Sequence, residues 1–284
     1  MDNNLILNRL FTQKFFKELI NYHNYDAFIN VVDKYCDLNN NKTNLDVLIE
    51  LYNKLRNEYR NEYFYKNTIL NKLLLGVHSI NTTTALSEIP ISSSKADFVL
   101  INGKSVVYEI KTQLDTLERL EKQVNDYYKA FDHVCVITCE NYCDEVLEMF
   151  NNTKVGVYVL SSKERIKKIK IPEKYDNNLN CNVMFKVLNK REYENILMHY
   201  YNRLPETSQV KYYTECKKMF CDIPNELRYE LYLKELKERN SVNNKIYFNE
   251  TPYELKSVIY FSQYRDADYK VLYKFLQKEI GGLN

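Results

Sequence analysis

Two β-branched runs separated by a three-residue turn signal constrain this chain more than any other feature. The runs ADFVLI (96–101) and SVVYEIKT (105–112) flank Asn102-Gly103-Lys104, which predicts a β-hairpin. Turn length then decides which side chains meet. If all three residues form the turn, with Gly103 left-handed, paired positions sum to 206 and Asp97 faces Glu109 across the hairpin. A two-residue Asn-Gly turn would instead pair Asp97 with Tyr108 and put Glu109 on the other face, because a one-residue slip inverts every side chain. Glu109 and Lys111, two apart, share a face in either case, while Ile110 points the opposite way, into the core.

The surroundings of the hairpin extend the pattern. Residues 1–37 read as two helices. Leu10, Phe11, Phe15 and Leu19 form one apolar stripe, and Phe28, Val31, Val32 and Tyr35 form the next. A polar break, DLNNNKTN (37–44), precedes a long helix over 45–75, with Thr43 or Asn44 as cap and Gly76 as stop. TTALSEIPI (83–91) reads as a strand ended by Pro90 and the serines after it. Beyond the hairpin come a helix over 115–131, an apolar strand VCVIT (134–138), a helix over 141–150 and a strand VGVYVL (155–160). Strands alternating with helices predict an α/β fold with a mixed sheet flanked by helices. SSKERIKKIKIPEK (161–174) reads as a charged connector, followed by helices near 189–202, 205–221, 224–239 and 252–280. The expected organisation is an N-terminal helical region (1–57), a sheet-bearing core (58–160) and a mostly helical C-terminal region (161–284).

Composition narrows the function classes. With 45% hydrophobic and 27% charged residues over 284 positions, the chain can bury a substantial core. There is no apolar run of about 18 residues and no signal-like N-terminus, so a cytoplasmic protein without a membrane span is expected. The seven cysteines form no C-x-x-C pair and read as idle thiols of a reducing compartment. Cys139 and Cys143 lack the two further partners of a zinc site. The four histidines show no metal-binding spacing, and neither a phosphate-binding P-loop nor a G-x-S-x-G elbow occurs. Net charge is only +2, but it is unevenly spread. Residues 161–284 hold 23 Lys/Arg against 17 Asp/Glu, a net of +6, and residues 1–160 hold 17 against 21, a net of −4. That split suits a carboxylate site beside a phosphate-binding surface. Val210-Lys211-Tyr212-Tyr213 and Lys217-Lys218-Met219-Phe220 are basic-aromatic runs of the kind that stack bases and neutralise phosphates. The same runs also describe ordinary amphipathic helices.

Two carboxylates at cross-strand distance repel, and a divalent cation resolves that repulsion. Oxygen donors suit Mg²⁺ or Mn²⁺. Such an ion acidifies a bound water and offsets charge on a phosphate, and Lys111 beside it can stabilise the transition state. These are the needs of phosphodiester hydrolysis.

An aspartate, eleven residues, then Glu-x-Lys on a hairpin, followed by a helix and a strand, resembles the PD-(D/E)XK nuclease superfamily. Ala96 stands where that motif's proline would be. The resemblance covers roughly 60–160, and KADFVLINGKSVVYEIKTQLDTLERLEKQVNDYYKAFDHV also looks like a little-studied bacterial branch of it. It implies a restriction-endonuclease-like sheet, Asp97 and Glu109 as metal ligands, and Lys111 as the catalytic lysine. Members often draw a further acidic residue from the helix before the hairpin. Here Glu62 is the candidate, ahead of Glu58, and Glu88 in the first strand is another. Gln123 and Tyr127 match the Q-x-x-x-Y pattern of some branches and fall on one helix face. The implied cofactor is Mg²⁺ or Mn²⁺. The implied substrate is a nucleic acid, DNA rather than RNA, with a homodimer or partner protein completing double-strand cleavage.

Two other functions compete. The first is a nuclease-fold module that has lost catalysis and binds nucleic acid without cutting; taken alone, Glu109 and Lys111 also fit an ordinary solvated strand face. A regulatory or interaction protein that docks through the helices at 45–75 and 224–239 is the second.

Overall fold

A computed structural model describes residues 4–36, 42–77, 79–239 and 242–280. The described residues fall into two compact units. One is built from the chain up to Val77 together with the chain after 241, and the other from 79–239. The break expected at 37–44 lies largely outside the described residues.

The first unit opens with helices α1 (Asn4–Leu10), α2 (Gln13–Tyr22), α3 (Asp26–Tyr35), α4 (Asn44–Glu58) and α5 (Glu62–Ile69). Each of the two N-terminal stretches read as continuous is in fact interrupted by a cap. Thr12 accepts from the Phe15 amide and starts α2, so the described residues 4–36 hold three helices, not two. Asn61 accepts from the Phe64 amide and starts α5, which splits the helix expected over 45–75. Short polar side chains satisfy the first free amides of a helix at the point where a periodicity argument sees only a continuing apolar stripe. Thr43 caps α4 in a reciprocal arrangement with Asp46, as its position suggested.

The second unit contains strands β1 (Thr84–Ile91), β2 (Ser94–Asn102), β3 (Lys104–Lys111), β4 (Val134–Thr138), β5 (Gly156–Leu160) and β6 (Ile166–Lys170). They form one sheet in sequence order. β1, β2 and β3 are antiparallel neighbours, β3, β4 and β5 are parallel, and β6 returns antiparallel to β5. The fold is therefore α/β with a six-stranded mixed open sheet. β6 corrects the expectation of a connector over 161–174. Its Ile-Lys-Lys-Ile-Lys sequence is exposed or half-buried, and lysines suit an edge strand because they discourage further pairing. Gly156 is required where β5 passes the chain after β6, since a Cβ there would meet Pro172 Cδ at 2.5 Å.

Helices α6 (Leu120–Tyr127), α7 (Cys143–Met149), α8 (Cys181–Val187), α9 (Lys190–Tyr201), α10 (Gln209–Asp222) and α11 (Asn225–Lys237) share one core with the sheet. Val99, Val107, Val136 and Val157 supply the strands' share. Leu120, Val124, Val146, Phe185, Ile196, Phe220 and Tyr232 supply the helices'. α6 is shorter than the 115–131 helix expected, and ahead of it Thr112–Asp115 forms its own turn, in which Asp115 accepts from the Thr112 amide and hydroxyl at 2.8 Å each. Cys181 and Cys221 are disulfide-bonded, tying α8 to α10. This corrects the reading of all seven cysteines as idle thiols. The pair is 40 residues apart in sequence and becomes adjacent only through tertiary packing.

Helices α12 (Lys245–Glu250), α13 (Lys256–Phe261) and α14 (Asp266–Gln277) complete the first unit. They are fastened there by side chains of the early helices. Asn44 donates to the Phe275 carbonyl at 2.9 Å, Asn67 to the Tyr253 carbonyl at 2.9 Å and Tyr63 to the Glu254 carbonyl at 2.6 Å. The compact units thus cut across the divisions drawn at 57/58 and 160/161. α5 groups with the helical unit, and α8–α11 group with the sheet. Among the described residues, no helix is long and apolar enough to cross a membrane.

Candidate active site

The β2–β3 hairpin has the odd turn. Gly103 sits at φ +69°, and pairing runs from Asn102 opposite Lys104 to Phe98 opposite Tyr108, every pair summing to 206. That register directs Asp97 and Glu109 to one face. Asp97 lies one step beyond the last pair, and its Oδ2 accepts from the Ile110 amide at 2.8 Å. The carboxylate is thereby fixed beside β3, between Glu109 and Lys111.

Glu109 is 1% exposed and Lys111 7%. Lys111 Nζ lies 3.0 Å from Glu109 Oε1 and donates to Gln123 Oε1 at 2.9 Å. Tyr127 Oη donates to Glu109 Oε2 at 2.6 Å and is also 2.9 Å from the Lys95 carbonyl. Burial, then the negative charges of Glu109 and Asp97, push the Tyr127 phenol far above its ordinary value. It therefore stays a donor, and its short bond to a carboxylate is of the strong, charge-assisted kind. Gln123 and Tyr127, one turn apart on α6, thus clasp the two charged residues of β3. A buried ion pair is weak evidence of stability, because desolvation offsets its attraction. Charged groups kept at that expense point more readily to chemistry.

Glu88 adds a carboxylate. One of its oxygens lies within 4.8 Å of one from Asp97, and it forms an ion pair with Lys95. Its backbone is left-handed, φ +57°, between the pairs Ser87–Phe98 and Ile89–Ala96. That conformation in an L-residue costs about 1–2 kcal/mol. Glu62 is the first residue of α5, in the first unit, where it pairs with Lys66 one turn on. Glu58 ends α4 and sits 4.0 Å from Lys54. The basic-aromatic runs lie on α10. There Tyr212 donates to Glu194 at 2.6 Å and Phe220 is in the core, while Lys211, Tyr213 and Lys218 are exposed.

Sequence reasoning missed the groups that hold α6 in place. Asp126 Oδ2 accepts from Ser94 Oγ at 2.8 Å, Ser93 Oγ at 2.9 Å and the Ser93 amide at 3.3 Å, and Oδ1 accepts from Lys129 at 2.7 Å. The serines after Pro90 had signalled only the end of a strand. The hint available was an aspartate directly beside Tyr127, on a face otherwise committed to the core.

Residues 55–258 match the family model described as Bacteriophage P4 protein cII. The chain belongs to that family. It is 27% identical to Protein cII of Enterobacteria phage P4 over 125 residues, which is 43% of this chain and 47% of that relative. The chain thus matches about half the length of its curated relative. No solved structure matches.

Proposed function

We propose that the chain is a divalent-metal-dependent phosphodiester hydrolase of restriction-endonuclease-like build, acting on DNA. The reading rests on one arrangement: Asp97 and Glu109 directed to the same sheet face, with Lys111 gripped between Glu109 and Gln123. The donors suit the cation. Asp97, Glu88 and Glu109 offer only hard carboxylate oxygens, as Mg²⁺ and Mn²⁺ prefer. A cation held there would acidify a bound water and offset phosphate charge. Tyr127 keeps Glu109 oriented, and Gln123 aims the Lys111 ammonium, whose charge suits a phosphate oxygen as it turns more negative. Cutting both strands of a duplex would call on a homodimer or a partner protein.

A second reading is favoured by one specific observation. Glu109 is buried and already engaged by both Lys111 and Tyr127, as in a polar cluster that serves the fold and leaves a module that binds nucleic acid without cutting it.

The deciding experiment is cleavage of end-labelled single- and double-stranded DNA with Mg²⁺ or Mn²⁺, comparing wild type with Asp97→Ala and Lys111→Ala. Loss of one transition-state contact should reduce cutting by about 100-fold or more. Metal-dependent cutting that disappears in both variants supports the hydrolase. A wild-type protein that binds DNA, takes up no Mn²⁺ by calorimetry and cuts nothing supports the binding module.

A further inference from the structure

Two side chains of α6 face the β1–β2 turn. Tyr127 Oη reaches the Lys95 carbonyl, and its neighbour Asp126 gathers three donors from Ser93 and Ser94. Asp126 is 4% exposed. A carboxylate that far from water needs its lone pairs used. Burial raises its pKa, but the bonds from Lys129, Ser94 and Ser93 outweigh that, and the group is held below the usual aspartate range.

The turn it grips is conformationally demanding. Ser92 is left-handed at φ +55°, and Glu88, on the strand leading in, is left-handed at +57°. The same turn leads out through Lys95 and Ala96 to Asp97. The helix it is tied to carries Gln123 and Tyr127, whose side chains hold Lys111 and Glu109. A single carboxylate therefore links the strand that supplies Asp97 to the helix that orients the other two charged residues.

Building on the hydrolase reading, we propose that Asp126 is a positioning residue of the active site: by binding Ser93 and Ser94 it sets the spacing between Asp97 on β2 and the Gln123–Tyr127 face of α6. It touches neither substrate nor metal. Its effect is exerted through Tyr127 and Gln123. An error of about 1 Å in such a constellation lowers turnover about 100-fold, so the clamp matters to rate more than to substrate affinity.

The test uses the full chain in three variants: Asp126→Ala, the double variant Ser93→Ala/Ser94→Ala, and Asp126→Asn. The first removes the carboxylate, and the second removes both hydroxyl donors and leaves only the Ser93 amide. The third retains an amide oxygen that can accept from the serines. Metal-dependent DNA cleavage is followed as kcat and KM separately, with thermal unfolding of each variant in parallel. Positioning predicts that kcat falls about 10- to 100-fold in the first two variants, with KM for DNA unchanged. The asparagine variant should recover most of the rate. Equal kcat in all the variants that remain folded would overturn the proposal. So would a loss of rate that tracks the loss of thermal stability, with no recovery by asparagine. A wild-type protein that neither cuts DNA nor binds Mn²⁺ would overturn the hydrolase reading itself, and this inference with it. Wild-type cutting that Asp126→Ala leaves intact would overturn this inference alone.

Discussion

The phenol of Tyr127 donates to Glu109 Oε2 at 2.6 Å, in a site where Glu109 is 1% exposed. Removing one donor from a buried carboxylate leaves its charge undercompensated, at about 1.5–3 kcal/mol for a bond to a charged group. Tyr127→Phe is therefore expected to lower unfolding free energy by about that amount, measured by urea unfolding at neutral pH. Under the proposed hydrolase function it should also reduce metal-dependent cleavage, because Glu109 loses the bond that orients it. An unchanged urea midpoint would show that the bond contributes nothing.

Gly103 holds the register that brings Asp97 to the Glu109 face. Its φ of +69° lies in the left-handed region, and a Cβ added there meets nothing within 4 Å. The penalty for another residue is thus conformational, not steric. Gly103→Ala should destabilise by about 1–2 kcal/mol, and Gly103→Asn by less, since asparagine tolerates that region better. Comparison of the two by thermal unfolding checks the order.

Asp132 predicts an acid-sensitive fold. It is 5% exposed, and its Oδ1 is bonded by Tyr229 Oη at 2.7 Å and His133 Nδ1 at 2.8 Å. Burial raises its pKa, but the bonds from His133, Tyr229 and Ser105 prevail and hold it below the usual range. The unfolded chain takes up this proton first as pH falls. The stabilisation is therefore complete above about pH 4, the unfolded value, and is lost as pH drops through the lower folded value. Urea unfolding from pH 6 down to pH 3 should show an acid limb that is shallower in Asp132→Asn. An identical limb in the variant would remove Asp132 from the account.

The Cys181–Cys221 bond gives a countable prediction. Of seven cysteines, five are free, so denatured, unreduced protein should take up five thiol-labelling groups and reduced protein seven. Closing a loop of 40 residues constrains the unfolded chain by about 3–4.5 kcal/mol. Cys181→Ser/Cys221→Ser should lose a comparable amount of stability.

Much of the sheet was legible in advance because its signals are local. VCVIT (134–138) forms β4 over the same span, and the runs at 83–91, 96–101 and 105–112 form β1, β2 and β3 within a residue or two. The interruptions at Thr12 and Asn61 were less visible, since one hydrogen bond from a short side chain decides each against a continuing apolar stripe. β6 was missed for a different reason. An edge strand is half solvated, so its lysine-rich sequence resembles a loop until β5 provides the partner.

The sequence by itself determined the hairpin and the shared face of Glu109 and Lys111, because turn residues and the two-residue period of a strand act between near neighbours. It left the turn length open, and the structure chose the odd register that brings Asp97 to that face. Only the tertiary structure decided that Gln123 and Tyr127 close on Lys111 and Glu109, that Asp126 reaches back across more than thirty residues to Ser93, and that Cys181 meets Cys221. It also decided that the helices after 241 join those before 77. The physical reason is that these pairings have no local signature. They follow from which apolar faces bury one another across the whole chain, and side-chain hydrogen bonds then form wherever that packing leaves donors and acceptors within reach.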